Sequence, residues 1–178
     1  YSVHYEVMND KVGEAFATAA TEAKLRVAGQ PRITESEGAA EGQMALRGFD
    51  FNIQAPLQGV LFSPYTLDTV TGAVTIPDLN PSEQVRFPGG ATHFSLRSAF
   101  VNLDFSSGVS SVTYSDVAVL AIDTTIATQT ITPNGVPDGS ATQLYLLLIE
   151  FYQEMNGIQY PLKNGAFNVL NILEVVQN

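Results

Sequence analysis

Residues 144–176 read LYLLLIEFYQEMNGIQYPLKNGAFNVLNILEVV. Asn156-Gly157 lies between two runs of alternating apolar residues, and this dipeptide supplies the two positive-φ positions that a two-residue hairpin turn requires. Such a turn fixes a register. Met155 faces Ile158, Gln153 faces Tyr160 and Phe151 faces Leu162, while Glu154 faces Gln159, Tyr152 faces Pro161 and Glu150 faces Lys163. Leu147, Ile149, Phe151 and Met155 then form the core face. Glu150, Tyr152 and Glu154 turn outward, with Lys163 placed to neutralise Glu150. Pro161 has no N–H to give to a ladder, which puts its strand at an edge.

Asn164-Gly165 turns the chain again, into a last strand over residues 166–176. Phe167, Val169, Leu173 and Val175 occupy one side of it, and Leu170, Ile172 and Val176 the other. A strand apolar on both faces is covered on both faces. An opposing sheet supplies one cover. The second falls to a helix or to a neighbouring subunit.

Upstream, HFSLRSAFVNLDF (93–105) is a long strand whose alternation breaks: Phe94 and Leu96 share one register, Ala99, Val101, Leu103 and Phe105 the other. One extra residue near Ser98 reconciles them, so a β-bulge is expected there. LDTVTGAVTIP (67–77) predicts a hairpin turning at Thr71-Gly72, and FDFNIQ (49–54) reads as strand. The one convincing helix runs from Lys11 to Ala28, with a stripe of Val12, Phe16, Ala20, Ala23 and Val27, and Gly29 and Pro31 stop it. Ahead of it, Tyr1, Val3, Tyr5 and Val7 alternate with polar residues as an arm. Many short strands with turn signals about every ten residues predict a mainly β chain. The expected fold is an antiparallel β-sandwich or jelly roll with one N-terminal helix packed on the sheet. Residues 1–45 form the arm, helix and acidic loop and residues 46–178 the β domain, in one globular unit overall.

Eight Lys and Arg against 18 Asp and Glu give a net charge of −10. That balance opposes phosphate backbones and anionic membrane surfaces, so no nucleic-acid partner is expected. No run of apolar residues is long enough for a helix to insert into a membrane. The absence of Cys removes disulfides, thiolate zinc sites and thiol catalysis. The two histidines, His4 and His93, stand alone, no GxSxG elbow occurs, and the Gly pair of FPGGATHF lacks a phosphate-binding lysine. Glu150 and Glu154 lie about 13 Å apart by strand rise, too far for a glycosidase pair. No enzymatic role and no cofactor are therefore expected. Calcium is the one ion for which the turn aspartates Asp116, Asp123 and Asp138 offer oxygen ligands, although turn formation accounts for all three.

These features suggest a non-enzymatic structural subunit of an extracellular, cell-surface or virion assembly, a filament, fibre or surface layer held by β-strand contacts between copies. The arm (Tyr1, Val3, Tyr5, Val7) and the second face of the last strand (Leu170, Ile172, Val176) would form the subunit interface. The alternative is a carbohydrate- or protein-binding sandwich, with Glu150, Tyr152 and Glu154 as its ligand face and a glycan as one possible partner. A jelly-roll hydrolase ranks third.

Overall fold

The computed structural model describes residues 45–162 and 165–177. The arm, the Lys11–Ala28 helix and Lys163 lie outside the described residues. The chain is mainly β, with antiparallel strands throughout. Its strands are β1 (Thr66–Leu67), β2 (Val74–Leu79), β3 (His93–Leu103), β4 (Ser110–Tyr114), β5 (Ala118–Ala121), β6 (Ala127–Ile131), β7 (Thr142–Met155), β8 (Ile158–Pro161) and β9 (Val169–Val176). Among the described residues, the helical turns α1 (Leu57–Val60) and α2 (Pro81–Gln84) punctuate the connections.

β3 and β7 form the spine of the large sheet. They pair along the whole of β3, from His93↔Tyr152 to Leu103↔Thr142. β4 and β5 share the far flank of β3, and β8 and β9 share the far flank of β7. A small sheet, β1-β2-β6, packs on the inner face. Val74, Ile76, Leu79 and Ile131 of the small sheet meet Phe94, Leu96, Phe100, Tyr145, Leu147, Ile149 and Phe151 of the large one. Burial of this apolar surface is what holds the two layers together.

The hairpin forms in the expected register: Met155↔Ile158, Glu154↔Gln159, Gln153↔Tyr160 and Tyr152↔Pro161. Asn156 and Gly157 take φ of 53° and 77°, as a type I′ turn demands. Met155 does not join the core. It is 55% exposed, so the core face ends at Phe151.

The expected bulge within β3 is corrected. β3 runs against β7 without a shift, and the irregularity lies on its other flank. There Leu96 and Ala99 pair with Ala118 and Tyr114, so two residues of β3 span three of the partner. Ser115 makes the join, donating its N–H to Ser98 O at 2.9 Å and accepting the Ser98 N–H on its hydroxyl at 2.9 Å. The broken alternation has another origin. Phe94, Leu96 and Phe100 face the inner core, whereas Ala99, Val101 and Leu103 face a second cluster on the outer side.

β9 contributes to both clusters, as a doubly apolar strand must. Its own bulge, with Tyr145↔Glu174 followed by Leu146↔Ile172, leaves Leu173 unpaired and reverses the phase. Val176 therefore packs on the inner core with Val169 and Leu173, and Val175 packs outside with Leu170 and Ile172. These two valines exchange the sides that simple alternation assigns them.

The second cover comes from the chain itself. Leu46 and Phe51 pack against Leu144, Leu146 and Ile172 on the outer face. The backbone of 48–51 also pairs along the free edge of β9: Gly48 N–H to Ile172 O (2.8 Å), Ile172 N–H to Phe49 O (3.0 Å) and Phe51 N–H to Leu170 O (3.0 Å). Asn171 secures this segment, donating to Asp50 Oδ1 (2.8 Å) and Gly48 O (3.3 Å). Asp50 Oδ1 also accepts the first N–H of α1 from Leu57, at 2.8 Å.

Tyr145 ties the layers at one end. Its ring stacks on Phe100 with centroids 4.5 Å apart, and its hydroxyl donates to Thr69 O at 2.6 Å. Burial first, then the charges of Asp68 and Glu174, push the phenol up to about 12. The neutral form is thus favoured in the fold. Its stabilisation is complete below the ordinary value of 10.0 and is lost as pH rises from there toward about 12. In an absorbance titration one tyrosine is expected to ionise well above the exposed ones, together with loss of the fold. Tyr145→Phe should remove that high-pH component.

Candidate functional site

The outer face of the large sheet turns polar toward the start of β3 and the end of β7. Antiparallel pairing sets Ser95 beside Glu150 and His93 beside Tyr152. This brings the expected ligand face, Glu150, Tyr152 and Glu154, into register with two residues more than fifty positions away in sequence.

The side chains form one connected group. His93 Nε2 lies 3.5 Å from Glu154 Oε2, and His93 Nδ1 lies 2.9 Å from the Thr92 hydroxyl. That hydroxyl accepts the Glu154 backbone N–H at 2.7 Å, which leaves its own proton available for Nδ1. Gln159 Nε2 donates to the same Glu154 oxygen at 3.4 Å, and buried Ser95 donates to the Tyr152 hydroxyl at 3.4 Å. Glu150 and Tyr152 make further contacts within the chain. The group is half-exposed and rich in acceptors. A polar, hydrogen-bonding partner suits it, and the Ser95 hydroxyl faces Tyr152 instead of the imidazole. His93 reads as solitary in sequence, and only the β3–β7 register shows its company.

The remaining sequence candidates scatter. Asp116 receives Asn134 Nδ2 at 3.5 Å, Asp123 receives the Thr125 N–H at 2.8 Å, and the Asp138 N–H goes to Ser111 Oγ at 3.1 Å. The Thr125 contacts, and more weakly His93, hold the Asp123 carboxyl below its ordinary value. Among the described residues, no three His, Cys, Asp or Glu gather as metal ligands. None of the described helices is long and apolar enough to cross a membrane. Of the expected interface residues, Ile172 is fully buried, Leu170 and Val176 are half-buried, and all three pack within the chain. Tyr1, Val3, Tyr5 and Val7 lie outside the described residues.

One stretch of the chain is similar to trigger factors. It is 84% identical over 44 residues to the trigger factor of Polaromonas sp. (strain JS666 / ATCC BAA-500), covering 25% of this chain and 10% of that protein. Trigger factors of Polaromonas naphthalenivorans (strain CJ2) and Variovorax paradoxus (strain S110) are each 82% identical over 45 residues, with the same coverage. The chain thus spans about a tenth of the length of the curated relatives it matches. No protein-family model and no solved structure matches it.

These matches overturn the expectation of a structural subunit. The protein that this stretch resembles is trigger factor in each case. A stretch this close to it does not suit an extracellular, cell-surface or virion filament, nor partnership with further copies or with a glycan. The physical premise behind that expectation also fails. The second face of β9 needs neither a helix nor a neighbouring subunit as cover, because Leu46 and Phe51 of the same chain pack there with Leu170, Ile172 and Val175.

Proposed function

We propose that the chain is a chaperone-related, non-catalytic protein that associates with ribosomes and emerging polypeptides through its trigger-factor-like stretch. The observation that carries this reading is the 84% identity over 44 residues. At that level about five side chains in six are the same, enough to preserve the contacts of a recognition surface. In this reading residues 1–45, the arm, helix and acidic loop, and residues 46–178, the β domain, belong to one globular unit. The face of Glu150, Tyr152 and Glu154, with His93 beside them, offers polar contacts to a polypeptide partner. No isomerase activity is assigned to this chain, since the match covers only a tenth of a trigger factor.

Co-sedimentation of the full chain with purified bacterial ribosomes tests the reading. The chain is expected to pellet with ribosomes and to be displaced by intact trigger factor, because the two share a near-identical stretch. A chain that stays in the supernatant, or that pellets indifferently to trigger factor, would contradict it.

A further inference from the structure

The flanks of the large sheet are closed in different ways. On the β9 side the outward groups of Leu170 and Ile172 are taken by residues 48–51. On β8 the hairpin register turns Pro161 outward, where it has no donor to offer. Beside β4, Asn134 N–H donates to Tyr114 O at 2.9 Å and the Thr113 hydroxyl to Gly135 O at 2.7 Å. These devices are the usual protection of an edge.

β5 is different. Ser98 directs both its N–H and its C=O toward the Ser115 flank, so the even residues of β3 bond that side. Phe94 and Leu96 accordingly bond Leu120 and Ala118, and the N–H and C=O of Val119 and Ala121 point away from the sheet. Among the described residues no group pairs with them. Val119 is 44% exposed and Ala121 is exposed, while Ala118, Leu120 and Ile122 pack on the inner core. Neither Pro nor Lys guards the strand. Exposed Asp116 and Asp123 flank its two ends on a chain of net charge −10.

We propose that the outer edge of β5 binds an extended polypeptide segment by strand addition, with apolar residues at alternate positions and basic residues at both ends. The main-chain groups of Val119 and Ala121 supply the hydrogen bonds. Alternate side chains of the guest fall beside Leu120 and Ile122 on the inner side, which sets its register. Asp116 and Asp123 select the basic ends. Four residues of ladder make the complex weak and salt-sensitive. The inference stands on the sheet alone and does not depend on the trigger-factor likeness.

The test uses the full chain and a fluorescent eight-residue peptide of alternating Val and Thr with a Lys at each end. Binding is expected below about 1 mM and should weaken with salt. Val119→Pro removes an outward N–H without touching the ladder to β3, and should weaken binding about tenfold or more. Methylating the peptide amides on one strand edge should abolish binding, and methylating the other edge should not. That comparison needs no protein variant. Equal binding by both methylated peptides, or no binding at about 1 mM, would overturn the proposal.

Discussion

Phe100→Ala should destabilise the chain by about 3–5 kcal/mol, seen as a large drop in the urea midpoint. Phe100 is fully buried at the centre of β3 and stacks on Tyr145. It also fills the space above the β1–β2 turn, where Gly72 holds φ +77° and a Cβ would sit 2.9 Å from Phe100 Cδ1. Backbone and ring meet there so closely that the turn cannot settle into the void without losing its geometry. The site therefore collapses poorly, so the full cost usual for a lost aromatic is expected. A loss below about 1 kcal/mol would mean that the two sheets do not meet as described.

Asn171→Ala should cost about 2 kcal/mol, and the damage should be local. The amide is 4% exposed and bridges β9 to the 46–57 segment through Asp50 and Gly48. Its removal leaves a carboxylate oxygen that still receives the Leu57 N–H but has lost a short bond at 2.8 Å. Amides of Leu57 and Ile172 should exchange faster in the variant, while Leu147 in the middle of β7 keeps its protection. Uniform acceleration across all three would instead indicate that the segment and the sheet unfold as one unit.

What the sequence discloses depends on how local the physics is. The β7–β8 register is legible to the residue, because Asn156-Gly157 fixes a turn and the turn fixes each pair that follows. The fault near Ser98 is visible, but its owner is not. Alternation along β3 cannot say that the extra residue belongs to the strand carrying Ser115, nor that its two registers serve two cores. In β9 the Leu173 bulge leaves no trace, since a strand apolar on both faces has no alternation to break. The clip between Asp50 and Asn171 joins positions 121 apart, and neither residue is unusual in its own surroundings. The same distance hides the candidate site. Glu150, Tyr152 and Glu154 are legible as an outward face, but the company of His93 and Ser95 requires the β3–β7 pairing.

The covering of β9 by its own chain is the claim from which the rest follows, and amide hydrogen exchange at Ile172 tests it most directly. The Ile172 N–H donates outward to Phe49 O, on an edge that would otherwise face water. Protection approaching that of Leu147 is the expected result. Exchange at the rate of an open strand edge would show that residues 48–51 do not close the sheet, and that β9 lacks the cover described here.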